Sequence, residues 1–241
     1  MQNTSFMDPI YHPEFIKVLF DKMSGSYTRM NYITSFGFSA RWRRQSINSI
    51  SIQKGQTVAD LMTGMGECWP YILKKTGNKG KIIALDFSEG MLKHAYRRKE
   101  KFKNFNIDIK KANVFDNDIP AQSVDAVISG FGIKTFSPDQ LMDLAKEIRR
   151  ILKPGGQFSL IDVSVPETTG LKVFYMFYLK KIIPVLGWLF LGDPDNYSML
   201  GIYTENFQNA KNAKEIFRKA GLEVEMTRYF FGCATGIKGN S

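Results

Sequence analysis

The chain has 241 residues, 44% of them apolar, with 33 basic against 23 acidic residues and a formal net charge of +10. That apolar share belongs to a folded globular chain, and the length suits one α/β domain or two small ones. Two distant cysteines, Cys68 and Cys233, and two histidines, His12 and His94, exclude a disulfide framework and argue against a metal-ligand cluster.

The positive charge favours anionic surfaces such as nucleic acid or lipid. Its spread over Arg41–Arg44, Arg97–Lys103 and Lys146–Lys153 argues against one dedicated nucleic-acid groove. No basic stretch followed by an apolar one opens the chain, so no secretory signal is expected and the setting is read as cytoplasmic and reducing.

Residues 1–50 read as helical and aromatic, with Pro13 near a helix start and Phe15, Val18, Leu19 and Lys22 at helical spacing. From about residue 56 strands and helices alternate. "TVADLM" is a strand, and "CWPYILKK" a helix that tolerates Pro70 only in its first turn. "KIIALD" is the second strand, followed by a helix that Ser88 can cap. "IDIKKAN" and "VDAVISG" are the third and fourth. "SPDQLMDLAKEIRRIL" is a helix with Ser137 as cap, Pro138 at its first position and Leu141, Leu144, Ala145, Ile148 and Ile151 on one face. "KPGG" ends it, and "QFSLIDVS" is the fifth strand. A last helix, "NAKEIFRKAG", precedes "LEVEMTRYF" and "CATGIK", two strands with no helix between them, which must pair antiparallel.

This order predicts a doubly wound, mostly parallel seven-stranded sheet with an antiparallel C-terminal pair. Residues 1–50 are a helical cap of the same domain as 51–241, and 167–206 an inserted lid on the acceptor side. Within the lid, Leu171–Leu191 is apolar over a membrane-spanning length, but Lys180, Lys181 and Pro184 make a span costly. A buried or lid-forming pair of short helices is expected there, with an interfacial helix as the alternative.

A ligand is expected at the carboxyl ends of the strands, where "VADLMTGMGECWPYIL" places Asp60, Gly64 and Gly66. Asp86 ends the next strand, where a carboxylate can accept hydrogen bonds from a ribose diol. A pyrophosphate site needs a third small residue, but Trp69 stands there, and Glu67 lies where a phosphate would dock. Both favour a cationic, phosphate-free ligand such as S-adenosylmethionine.

With "VADLMTGMGE", "ALDFSEGML", "VDAVISGFGIKTF", "LKPGGQFSLIDVSVP" and "GDPDNYSML" in order, the chain resembles the class I S-adenosylmethionine methyltransferases. More narrowly it resembles the ubiquinone/menaquinone biosynthesis C-methyltransferase family, from about Phe20 to the C-terminus. The resemblance implies that Asp60, Gly64 and Gly66 cradle the methionyl part, with Met62 beside them. Asp86 takes the ribose, Phe87 the adenine face, and Asn113 with Val114 the adenine edge. Gly130 lines the methyl end, and Tyr27 closes over the cofactor.

The acceptor half departs from the family. Where the family has "FGLRN", this chain has Phe131-Gly132-Ile133-Lys134-Thr135, and lysine does not replace a bidentate arginine. After Tyr197 it reads Gly201-Ile202-Tyr203 in place of "AES". Lys134, Asp162, Tyr197, Tyr203 and His12 are the acceptor-side candidates, with no general base among them singled out. The aromatic and methionine content from Phe174 to Trp188 suits an aromatic or quinone-like acceptor, with or without a prenyl tail.

The expected function is methyl transfer to carbon or oxygen of a small acceptor. Peripheral membrane contact and a homodimer are both compatible with the sequence. A nucleic-acid methyltransferase would explain the charge, but the fourth strand is not followed by an Asn/Asp-Pro-Pro-aromatic stretch and neither cysteine follows a proline. A methyltransferase-like protein that binds the cofactor without methylating is the remaining alternative.

Overall fold

The computed structural model describes residues 8–25, 35–183, 185 and 194–241, with backbone alone at 194–197. A seven-stranded sheet runs through the middle in the order β3-β2-β1-β4-β5-β7-β6. Its strands are β1 (Thr57–Leu61), β2 (Lys81–Asp86), β3 (Asn106–Lys111), β4 (Val124–Gly130), β5 (Leu152–Val163), β6 (Glu223–Tyr229) and β7 (Ala234–Asn240). The first five pair in parallel, while β7 is antiparallel to both β5 and β6.

The central strands are buried almost end to end, as a sheet covered on both faces requires. At the edge, β6 alternates exposed with covered positions. Strand β5 starts earlier than its apolar run suggests. Leu152 pairs with Val124, and the register then shifts so that Gln157 opposes Ala126 across the "KPGG" bulge.

Helices α1 (Pro13–Met23), α2 (Phe38–Asn48), α3 (Trp69–Thr76), α4 (Glu89–Lys99), α5 (Pro138–Ile151), α6 (Thr169–Phe177), α7 (Pro194–Phe207) and α8 (Lys211–Lys219) surround the sheet. Helix α5 opens with a reciprocal capping box between Ser137 and Gln140. Its stripe of Leu141, Leu144 and Ile148 packs with Ala213 and Phe217 of α8 on one face of the sheet. Ile47, Trp69, Ile72 and Leu92, from α2, α3 and α4, fill the other.

The N-terminal face differs from expectation. Phe15 and Val18 are exposed, and Ile16, Leu19 and Met23 are the buried side of α1. The buried stripe keeps its helical spacing but is turned about the axis, because α1 packs on α4 and α7 as well as on the sheet end. Leu19 and Met23 join Met65, Met91, Leu179 and Tyr203 in a cluster that ties α1 to α7 and to the turn after α6. Helix α6 continues into one π turn, Tyr178–Ile182. Among the described residues no helix is long and apolar enough to cross a membrane.

Candidate functional site

Strands β2 and β4 lie on opposite sides of β1, so the chain winds away from β1 in both directions. The resulting crevice at the carboxyl ends holds a cavity that opens to solvent. Its floor is the turn after β1, carrying Met62, Thr63, Gly64 and Glu67. One side is Asp86 and Phe87 after β2, with Asn113 and Val114 after β3. The other is Gly130, Phe131 and Gly132 after β4. Pro13, Ile16 and Phe20 of α1 form the roof.

The turn is shaped by its glycines and one indole. Gly64 and Gly66 have φ of 57° and 78°, where a side chain is strained. A Cβ on Gly66 would come within 2.5 Å of the Trp69 ring. The tryptophan in the third position of the glycine pattern is thus packed flat against the second glycine. Trp69 is fully buried, and truncating such a side chain to alanine costs about 3–5 kcal/mol. Its Nε1 donates to Thr63 Oγ1 at 2.9 Å, and that hydroxyl donates to Asp60 Oδ2 at 2.5 Å.

Two buried carboxylates stand at this floor. Asp60 lies inside β1 behind the cavity wall, and its Oδ1 has no hydrogen-bond partner. Burial raises its pKa to about 7, against the lowering effect of Thr63. Asp86 accepts from the backbone N–H of Ser88 at 2.9 Å and of Gly64 at 2.8 Å, yet burial still lifts its pKa to about 6. The Cys68 thiol beside Asp60 is pushed upward by burial and then by that carboxyl, which keeps it neutral.

Arg43 was not singled out by the sequence reading. It is 6% exposed, lines the cavity and lies with its guanidinium 4.5 Å from the Phe131 ring centroid. The signal was present in α2. Ser39, Trp42, Arg43, Ser46 and Ile47 are buried at helical spacing, while Arg41 and Arg44 of the same basic run face out. Asp21 is a second unforeseen residue. Its Oδ1 accepts from Ser88 Oγ at 2.6 Å and from Gly90 N–H at 2.8 Å, which clamps α1 onto the start of α4 beside Asp86.

A second cavity, about 1490 Å³ to its open mouth, adjoins the first and shares Phe131 with it. Its wall is apolar and aromatic, with Trp42, Tyr175, Leu179 and Leu200 among the lining side chains. The charged side chain on the described lining is Lys134, 4% exposed. Its ammonium donates to Asp162 Oδ1 at 2.7 Å and to the Phe131 carbonyl at 3.3 Å, while its backbone N–H donates to Asp162 Oδ2 at 3.0 Å. Cys233 also faces this cavity, and burial raises its thiol to about 11. Burial likewise raises the Tyr175 phenol, so both stay neutral near pH 7.

The structure therefore gathers Met62, Gly64, Asp86, Phe87, Asn113, Val114 and Gly130 around the first cavity, with Asp60 and Gly66 supporting its floor. It brings Lys134 and Asp162 together at the second. It does not bring Tyr203 or His12 there. Tyr203 is fully buried against Tyr11, and its hydroxyl donates to the Ile10 carbonyl. His12 is exposed, at the cap of α1. Tyr27 and Trp188 lie outside the described residues, as does the side chain of Tyr197.

The model of the ubiE/COQ5 methyltransferase family matches residues 11–239. The chain belongs to that family. It is 33% identical over 209 residues to a demethylmenaquinone methyltransferase of Listeria monocytogenes serotype 4b (strain CLIP80459), covering 87% of each chain. It is 33% identical over 227 residues, 94% of each chain, to the Oceanobacillus iheyensis enzyme of the same name. The fold is also that of an S-adenosylmethionine-dependent methyltransferase from Aquifex aeolicus, with a TM-score of 0.56 at 21% identity over 82% of this chain and 88% of that one. As a member of the family this chain is an S-adenosylmethionine-dependent methyltransferase.

The residues present suit that cofactor. Carboxylates at Asp60, Glu67 and Asp86 surround the turn, a setting that welcomes a cationic sulfonium and amine and repels a diphosphate. The unpartnered Asp60 Oδ1 is a further acceptor available behind the turn. Arg43 supplies a guanidinium for a carboxylate.

Proposed function

We propose that this methyltransferase acts on a ring carbon of a hydroxylated aromatic of the quinol type, a reduced demethylmenaquinone-like naphthoquinol. The observation that carries this reading is the pair of cavities meeting at Phe131. One carries two carboxylates, Glu67 and Asp86, and the Arg43 guanidinium on its wall, and the other is apolar with a single buried ammonium on its described wall. The relatives named as demethylmenaquinone methyltransferases, similar over most of their length, support the choice of acceptor.

In this reading Asp86 holds the ribose, Phe87 the adenine face, Asn113 and Val114 the adenine edge, and Arg43 with the Gly64 turn the methionyl carboxylate. S-adenosylmethionine, when bound, supplies a methyl on a positively charged sulfur, an electrophile that needs no further activation. The protein must align the acceptor carbon for in-line attack and keep water out. A naphthol carbon becomes nucleophilic when its neighbouring hydroxyl gives up its proton, so a group that stabilises the resulting oxyanion lowers the barrier. An ammonium has three donors, and Lys134 uses two, on Asp162 and Phe131. The third is available to the acceptor oxygen. Asp162 holds the ammonium in place within an apolar wall through its bonds to the side chain and backbone of Lys134. With the cofactor bound, the acceptor carbon held here would take the methyl while the carbon–sulfur electron pair left with the neutral thioether, and the ring carbon's proton would end on the acceptor's own oxygen, the hydroxyl proton lost earlier having gone to water.

The test is methyl transfer from labelled cofactor to an unprenylated naphthoquinol, with products resolved as C- or O-methylated. Lys134→Met should lower kcat about 100-fold or more while leaving cofactor affinity within twofold. Lys134→Arg should retain part of the rate, since the positive charge remains. An O-methylated product, or full activity in Lys134→Met, would overturn the assignment.

A further inference from the structure

The outer face of α6 is exposed. Val173, Phe174 and Phe177 recur at helical spacing and are 67%, 71% and 56% exposed. Three more phenylalanines are exposed beside the apolar cavity: Phe36 at 79% and Phe230 at 47% on its wall, and Phe231 at 75% in ring contact with Phe230. They are linked by ring contacts, Phe36 to Tyr178 at 6.1 Å and Phe230 to Phe231 at 5.5 Å. Phe36, Phe174 and Phe230 are at once solvent-exposed and part of the wall of the apolar cavity, so they form its rim. Exposed apolar patches of this kind mark interaction surfaces.

The backbone supports a functional reading. Phe36, Phe230 and Phe231 have φ of 49°, 40° and 54°, a left-handed region that bulky side chains rarely occupy. A strained conformation that turns a large aromatic toward water gains nothing for the folded chain in isolation. The charge names the partner. Lys172, Lys180 and Lys181 are exposed along the same helix and its π turn, with Glu205 the acid that pairs with Lys180. Arg41 sits 5.9 Å from the Phe38 ring beside Phe230. Aromatic side chains flanked by long cations fit a bilayer interface, where the rings enter the acyl boundary and the ammonium groups reach anionic headgroups.

From this we infer that the α6 face with Phe36 and the Phe230–Phe231 turn docks on an anionic bilayer surface, so that the apolar cavity opens toward the membrane. An acceptor with a hydrocarbon tail then enters without crossing water. The purpose assigned to the docking rests on the cavity being the acceptor site, but docking itself is measured without turnover.

The experiment is flotation of the full chain with vesicles of phosphatidylcholine alone or of equal parts phosphatidylcholine and phosphatidylglycerol, at low and high salt. The mixed vesicles should retain the chain about tenfold better, and salt should weaken that retention. Val173→Glu/Phe177→Glu, on side chains outside the cavity wall, should lower retention about tenfold or more while cofactor binding by calorimetry is unchanged. Lys172→Glu/Lys181→Glu should lower it comparably, whereas Lys101→Glu/Lys103→Glu, the same charge change in the turn after α4, should not. Equal loss in both lysine pairs would reduce the effect to net charge and overturn the docking face. So would equal retention on both vesicles, or a dimer that dissociates in Val173→Glu/Phe177→Glu without any flotation. Flotation that fails while a tail-free naphthoquinol is still methylated sinks the docking alone. Flotation that behaves as stated while no quinol is methylated sinks the acceptor assignment alone.

Discussion

The two cavities that meet at Phe131 are built on opposite principles. The first is made of short turns at the ends of strands buried on both faces, and its polar groups are held at hydrogen-bond distance by backbone and side-chain groups of the turns after β1 and β2 themselves. The second, the proposed acceptor cavity, is a wall of aromatic and aliphatic side chains from α2, α6, α7 and the β6–β7 turn, with one charged pair that joins the turn after β4 to the end of β5. In the first, geometry is set by backbone conformation. In the second it is set by packing between elements. A change on the cofactor side should therefore act through specific bonds and be severe, and a change on the acceptor wall should act through shape and be graded.

The largest effect expected from this contrast is at Asp86. Removing its carboxylate takes away the ribose acceptor and leaves the N–H groups of Gly64 and Ser88 without their partner. Charge-assisted hydrogen bonds contribute about 1.5–3 kcal/mol each, so Asp86→Ala should raise the cofactor Kd about 100-fold or more in calorimetry. The raised pKa adds a pH signature: wild-type affinity should fall as pH drops through about 6, where the carboxylate takes up a proton, and the variant should lose that dependence. Unchanged affinity would break the comparison at its stronger side.

Asp60 makes the next test, because the site is held at a stability cost. Its pKa rises from 3.8 to about 7 on folding, so the folded chain binds the proton more tightly. The carboxyl is without penalty below about pH 4, and stability is then lost progressively until pH passes about 7. Asp60→Asn removes the titration and can still accept from Thr63. Its ligand-free stability in urea should match wild type near pH 4 and exceed it at pH 8 by as much as about 4 kcal/mol. Cofactor affinity at pH 8 should fall in the same variant. A stability gap that does not widen with pH would show that Asp60 carries no buried charge.

The same contrast explains what could be read before the fold was known. The succession of strands and helices along the chain, the two caps at Ser88 and Ser137 and the antiparallel end pair were legible because each leaves a local mark: an apolar run, a capping residue, a missing helix. The positions of Gly64 and Asp86 on one crevice follow from the same local marks, while Asn113 was reached only through the family resemblance. Arg43 was readable in principle, since Trp42 and Ile47 fix which side of α2 is buried, but within "RWRR" the basic run masked that periodicity. The Lys134–Asp162 pair, the Asp21 clamp and the diversion of Tyr203 to Ile10 are contacts between distant elements. No spacing along the chain encodes them.

The smallest effect is expected on the acceptor wall, at Phe174. It lines the apolar cavity yet is 71% exposed, so truncation removes little buried area from the folded chain. Phe174→Ala should change unfolding stability by about 0.5 kcal/mol or less, as surface substitutions do. The lost contact is with the acceptor in both ground and transition states, which weakens binding without touching the chemical step. KM for the quinol should rise about three- to tenfold, roughly the effect of the apolar surface one ring can cover, with kcat and cofactor affinity unaltered. A drop in kcat with KM unchanged would mean that the rim positions the reacting carbon itself, and the two cavities would then differ less in kind than their construction implies.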